Sequence, residues 1–190
     1  VCSSDLSGYN IKVCDVPINF SGEFPGSFLN CEVKSTKGRA LNYGLKFING
    51  ESRIIGFYDA ESRPSKEVLL YVAERYLEEE ENMPILQGPL FQVRNFYNMG
   101  LISRLGGLFK AISHDWYLPI IFKTIPFAGG TNLFVLKETL HKISGFDPAS
   151  LTEDLDLGIR SYLICGKGVE FLPVISTEQT PPLLKGYFNQ

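Results

Sequence analysis

The sequence predicts an α/β domain: a layered sandwich with a central, mainly parallel sheet flanked by helices. Three observations lead there. Short β-rich apolar runs alternate with stretches of helical periodicity along the chain. The 190 residues suit a single domain, 1–190, with room for a full core. No internal repeat or low-complexity linker divides it.

In chain order, Ile11 to Val16 and Cys31 to Lys34 read as short strands, separated by a Gly-, Pro- and Ser-rich loop from Ser21 to Ser27. Gly38 to Phe47 reads as a helix with Ala40, Leu41, Gly44 and Leu45 on one face and Asn49-Gly50 as its stop. Arg53 to Tyr58 is a β-rich apolar run ending at Asp59, expected as a central strand. Ser65 can cap a helix striped by Val68, Leu69, Val72 and Tyr76, with Glu78 to Glu81 as its solvated acidic end. Ile85 to Arg94 reads as one strand region, followed by a mixed, Gly-containing segment to about Pro126. Leu133 to Leu136 suits a strand, and Lys137 to Ile143 a short helix. Leu155, Ile159 and Leu163 then recur every four residues before a stop at Gly166, and Val169 to Val174 is a final strand.

Composition excludes several classes. A net charge of −3 without any basic block argues against a nucleic-acid backbone as partner. The cysteines (Cys2, Cys14, Cys31, Cys165) form no C-x-x-C pair and the only histidines are His114 and His141, which argues against a Cys/His zinc site. Free thiols in a reducing compartment are the simplest reading, with a Cys2–Cys14 or Cys14–Cys31 bridge left open. No apolar run reaches the ~18–20 residues of a spanning helix. The most apolar stretch, Trp116 to Ala128, is broken by Pro119, Lys123 and Pro126 and suits a buried or interfacial segment. The chain begins at Val1 and ends within a patterned region, so a piece of a longer protein is expected.

Four motifs can carry chemistry, and each also has a purely structural reading. Asp59-Ala-Glu61 closes a strand, where ligands bind in open α/β sheets. Its two carboxylates can hold a hard divalent cation that bridges phosphates, or the motif can be a simple turn. Thr152-Glu153-Asp154 can place a general base within reach of a hydroxyl. Equally, Ser150-Leu-Thr-Glu153 fits a capping box, and acidic residues favour the first turn of a helix. Lys37-Gly-Arg-Ala-Leu-Asn42 offers a cation and backbone amides near a helix start, or a plain loop. Gly129-Gly130-Thr131-Asn132 allows close approach of backbone to a substrate, or makes a turn.

Taken in order, Lys37-x-x-Ala-Leu-Asn42, Asp59-x-Glu61, Gly129-Gly-Thr-Asn132, Ser144-Gly-Phe-Asp147 and Thr152-Glu-Asp154 resemble the family 2 glycosyltransferases, closest to the membrane-associated branch of cellulose and hyaluronan synthases. Glu178-Gln-Thr-Pro-Pro182 and Gly186-Tyr-Phe-Asn-Gln190 look like the lead-in to that family's Q-x-x-R-W motif, with Gln190 its first residue. The resemblance runs from Lys37 to Gln190. It implies a GT-A fold and inverting transfer from a nucleotide-sugar, usually a UDP-sugar, with Mg or Mn. Asp59 and Glu61 match the positions that bind the metal and diphosphate. Asp154 matches the general base, with Glu153, Gly130 and Gln190 lining the acceptor region. Lys37 and Asn42 fall beside the donor nucleotide.

The pattern departs at Glu61, which lengthens the usual second Asp, and in the first strand with its nucleotide-reading Asp, which is not clearly present; Asp5 stands near that place. The implied acceptor is a glycan or lipid-linked hydroxyl, and the implied setting is the cytoplasmic face of a membrane. Two rivals share the layout: a non-catalytic sugar-nucleotide or glycan-binding module, and a nucleotidyltransferase. The second lacks its glycine-rich nucleotide loop here.

Overall fold

A computed structural model describes residues 11–48 and 50–180. Its centre is a four-stranded sheet in the order β1 (Ile54–Phe57), β5 (Leu133–Leu136), β3 (Ile85–Gln87), β6 (Val169–Phe171). A three-stranded sheet lies in the order β2 (Arg63–Pro64), β7 (Ser176–Thr177), β4 (Leu90–Phe91).

The sheets are mixed α/β as to class, but not mainly parallel. β5 runs antiparallel to both its neighbours, and β2 is antiparallel to β7; only β3–β6 and β4–β7 are parallel. The parallel expectation follows from strands alternating with helices, a pattern that does not fix strand direction where connections are long. The continuous apolar run Leu133 to Leu136 shows only a strand covered on both faces. β5 is covered on both faces, yet its partners run the other way. Leu133 and Val135 join one cluster with Ile55, Phe57, Leu140 and Leu157, while Phe134 and Leu136 join another with Val68, Val72 and Leu172. Each such fully buried side chain contributes ~1.5–3 kcal/mol.

Helices cover these faces: α1 (Lys37–Leu45), α5 (Lys137–Lys142) and α6 (Glu153–Cys165) on one, α2 (Val68–Glu79) on the other. α1, α2, α5 and α6 lie close to their expected spans. The faces differ, however. α1 buries Gly38, Arg39, Asn42 and Leu45, with Ala40 exposed. α6 buries Glu153, Leu157, Gly158 and Ser161, leaving Leu163 outward. Its left-handed stop at Gly166 is as expected.

Other expectations give way. Residues Ile11 to Val16 and Cys31 to Lys34 form no strand among the described residues; Val33 N–H bonds to the Ile18 carbonyl at 2.9 Å, but no ladder is built from that contact. β1 stands at the sheet's edge among the described residues instead of its centre. The Ile85–Arg94 region breaks at Gly88-Pro89 into β3 and β4, which belong to different sheets. The segment expected to be mixed is mostly a helical rod: α3 (Leu101–Ile112), a π segment (Ser113–Tyr117) and α4 (Leu118–Ile121). Asn49 lies outside the described residues, as do Cys2, Asp5, Pro181-Pro182 and the whole Gly186–Gln190 motif. Cys14, Cys31 and Cys165 are free thiols. No helix among the described residues is long and apolar enough to cross a membrane.

Candidate active site

The motifs that are dispersed in sequence meet through one glycine. Lys37, the first residue of α1, donates from Nζ to Asp59 Oδ1 at 2.7 Å and to the Gly130 carbonyl at 3.1 Å. The same ammonium lies 4.0 Å from Glu153 Oε1. On its other side the Gly130 N–H donates to Asp154 Oδ2 at 2.7 Å. One residue thus ties the cation of α1 to the carboxylate of α6. A Cβ on Gly130 would stand 2.9 Å from Lys37 Nζ and 3.1 Å from Asp154 Oδ2, so the close approach needs glycine.

Each partner is held from behind. α1 starts at Lys37 because Thr36 caps it, accepting from the Arg39 N–H at 3.2 Å and donating to the Pro148 carbonyl at 2.9 Å. Asp59 leaves the end of β1, with its N–H bonded to Thr131 Oγ1 at 3.2 Å. α6 is aimed by Gly158, one turn beyond Asp154, where a Cβ would lie 2.1 Å from the Pro126 carbonyl oxygen. The helix therefore lies flush on the Pro126–Ala128 segment that leads into the glycine loop. The expected capping box does not form: Ser150 Oγ accepts from Thr152 N–H, and Thr152 caps without a side-chain bond. Asp154 instead turns inward, its Oδ1 taking the Leu155 N–H at 2.8 Å.

The glycine loop is fixed by its own Asn132 together with Gln87, Tyr58 and Ser62, which the sequence alone does not single out. Gln87, fully buried at the end of β3, accepts from Gly129 N–H at 2.8 Å and donates to the Thr131 carbonyl at 2.8 Å. Asn132, at φ 51°, donates to the Pro89 and Val174 carbonyls and accepts from Tyr58 Oη at 2.7 Å. Burial pushes the Tyr58 phenol up to about 12, which keeps it a donor. Ser62 bridges Thr131 Oγ1 to the buried carboxylate of Glu178. A polar glutamine inside the apolar run Ile85 to Leu90 was the available signal for this layer.

The result is a cleft of about 410 Å³. Lys37, Asp59, Glu61, Gly130 and Asp154 line it, together with Lys110 and His114 of the helical segment. His114 Nδ1 accepts the Leu90 N–H at 3.1 Å, which leaves the ring proton on Nε2. Burial, then the Lys110 ammonium, pushes this imidazole down to about 4, so it is neutral. It sits in the π segment, a helix irregularity common at functional sites.

Of the residues assigned from sequence, Lys37, Asp59, Glu61, Gly130 and Asp154 share this cleft, and Glu153 adjoins it through Lys37 while being 7% exposed. Asn42 does not join them. It is fully buried, donating to the Gly22 and Phe146 carbonyls at 2.7 Å each and accepting from Phe146 N–H at 2.9 Å, so no polar atom remains for a nucleotide. Gln190 lies outside the described residues. Among those residues no cluster of three or more His, Cys, Asp or Glu side chains is disposed to hold a metal.

Comparison with known proteins gives the same direction. The chain is 28% identical over 165 residues to a protein named "Probable glycosyltransferase YdaM" from Bacillus subtilis (strain 168), a match that takes in 81% of this chain and 36% of the relative. The chain thus spans about a third of that relative's length. The family model described as "Glycosyl transferase family group 2" matches residues 54–190, well over half of the sequence, and includes every cleft carboxylate. The chain belongs to the family 2 glycosyltransferases.

Proposed function

We propose that the protein, on a GT-A-like scaffold, moves a sugar with inversion from a nucleotide-sugar, with a UDP-sugar as the expected donor, to a hydroxyl of a glycan or lipid-linked acceptor. The observation that carries this reading is the fixed Asp154 carboxylate. Two backbone N–H groups, those of Gly130 and Leu155, hold it on the wall of a cleft that also contains Asp59 and Lys37. In the reaction Asp154 accepts the acceptor's hydroxyl proton. The freed oxygen bonds to the anomeric carbon as the bond to the diphosphate breaks, and that electron pair leaves with the nucleoside diphosphate. Gly130 and Glu153 adjoin the acceptor side, and Gln190 is assigned there by motif alone.

A divalent cation suits the donor side. Asp59 and Glu61 supply hard oxygen ligands to one cleft wall, and Asp59 already attracts a cation, the Lys37 ammonium. Mg or Mn is commonly held by one or two carboxylates together with substrate phosphates, so two side chains suffice. Such an ion would stabilise the charge gathering on the departing diphosphate. Lys37, freed from Asp59, would face the donor's phosphates. The same reading sets the working enzyme at the cytoplasmic face of a membrane.

The test is nucleoside diphosphate release by the full-length protein with a panel of UDP- and GDP-sugars and Mg or Mn. With the active donor, Asp154→Asn is expected to lower turnover by ~10²–10⁴-fold with little change in donor affinity. Unchanged turnover would remove Asp154 as the base. Donor binding without any release by the wild type would favour the non-catalytic binding module.

A further inference from the structure

The rod formed by α3, the π segment and α4 is amphipathic in the inverted sense: its polar face points inward and its apolar face outward. Ser103, Gly107, Lys110 and His114 recur in steps of four, three and four. Ser103 and Gly107 are buried, and a Cβ on Gly107 would stand 2.8 Å from the Gln92 carbonyl oxygen. Lys110 and His114 line the catalytic cleft. The opposite stripe is Ile102, Leu105, Phe109, Ile112, Trp116 and Ile120, in steps of three, four, three, four and four. Steps of four suit the wider turns of the π segment. These six side chains are 54–71% exposed.

A soluble helix normally directs such a stripe into its own core. Six large apolar groups in one line on the surface form a patch that calls for an apolar environment. The chemistry around the stripe favours a lipid interface. Trp116, the only tryptophan of the chain, and Tyr117 are both more than half exposed, and their amphipathic rings suit the headgroup level. Apart from Lys110, which lines the cleft, residues 101–125 carry Arg104 and Lys123 against Asp115 alone, a net basic stretch within a chain of net charge −3. The exposed apolar residues of α2 and α6 lack this pattern, being interspersed with Glu74, Glu78, Asp156 and Arg160.

We propose that this outward face beds in the interfacial layer of an anionic bilayer, parallel to its plane. The proposal rests on the membrane setting inferred above and is independent of the role of Asp154. Because Lys110 and His114 occupy the inner side of the same rod, docking sets the cleft about one helix diameter, ~10 Å, from the lipid headgroups.

Trp116 reports on the proposal directly. The 190-residue chain is mixed with vesicles of phosphatidylcholine, with or without phosphatidylglycerol, and its tryptophan emission is followed while bound protein is separated by sedimentation. The expected result is co-sedimentation with the anionic vesicles, a blue shift of emission, and quenching by lipids brominated near the headgroup. Phe109→Glu and Ile112→Glu are expected to reduce vesicle binding at least ~10-fold while leaving the thermal unfolding midpoint unchanged, since both side chains are exposed. Sedimentation with unshifted, unquenched Trp116 would overturn this surface but keep the membrane setting. Absence of vesicle binding would overturn this surface, and the membrane setting is then decided by whether the full-length protein fractionates with membranes. A blue shift that grows with protein concentration in the absence of lipid would overturn the proposal in favour of a second copy covering the face.

Discussion

At the residue scale the alignment of the site turns on Gly130. Its carbonyl and N–H hold Lys37 and Asp154 at once, and the added Cβ of Gly130→Ala would press on the tips of those two flexible side chains instead of on backbone. The expected outcome is a separation of effects. Turnover falls by about 10²-fold, as for a misplaced catalytic group, while the unfolding midpoint moves by no more than a few degrees. A large loss of stability would mean that the glycine serves the fold and not the alignment. Positions in the cleft were legible wherever chemistry and backbone need coincide, as at Gly130, Asp59 and Asp154. They were not legible at Asn42, whose amide reads equally well as a ligand for a nucleotide and as a clamp on Gly22 and Phe146. Spacing in sequence cannot tell a side chain that ends in a cleft from one that ends on buried carbonyls. Only the long-range partner, 104 positions away, decides it.

At the element scale, two helical glycines with the same intrinsic propensity should respond in opposite ways. In α6, Gly158→Ala would place a Cβ 2.1 Å from the Pro126 carbonyl oxygen, a backbone atom that cannot swing aside. Overpacking of this kind costs ~1–3 kcal/mol, more than the helix propensity gained. Because Asp154 is one turn away, the same displacement should weaken transfer. In α1, a Cβ on Gly44 meets nothing within 4 Å, so Gly44→Ala should stabilise by ~0.5 kcal/mol. Urea unfolding of the pair checks both signs. Equal effects would show that propensity, and not helix docking, governs these positions. Helix spans were readable because Gly166 and the periodic apolar residues are local signals. Which stripe faces inward was not readable for α6, since both the Leu157–Gly158–Ser161 side and the Leu155–Ile159–Leu163 side repeat at helical spacing. The α3–α4 rod is not legible in the sequence for a related reason: with its apolar stripe outward and Pro119 near the end, it matches neither a soluble amphipathic helix nor a spanning one.

At the scale of the whole molecule, the cleft joins the two sheets, and the cost of that junction should appear as pH dependence. β4 belongs to the smaller sheet, and its Leu90 N–H is satisfied by His114 of the helical rod. That bond needs a neutral imidazole, which burial and Lys110 provide by holding the ring down to about 4. The other titratable groups that line the cleft are Lys37, Asp59, Glu61, Lys110, Asp154 and Glu178. In the unfolded chain the ring titrates near 6.5. Between those values the unfolded state binds more protons than the native one, so stability falls as pH drops from about 6.5 toward 4 and is insensitive to this group above 6.5. The full span corresponds to at most ~3 kcal/mol before allowance for the ring's partial exposure. His114→Gln retains an acceptor for the Leu90 N–H and removes the titration. The wild type should therefore lose more stability than the variant between pH 7 and pH 5, by ~1–2 kcal/mol. Parallel curves for the two proteins in urea unfolding at both pH values would show that His114 is not the group that couples the sheets to pH. The sign also bears on catalysis. A residue already neutral near pH 5 cannot be the acid limb of a pH–rate profile around 6 to 7, so an ionisation seen there in the wild type and retained in His114→Gln would belong to another group of the enzyme or to the substrate.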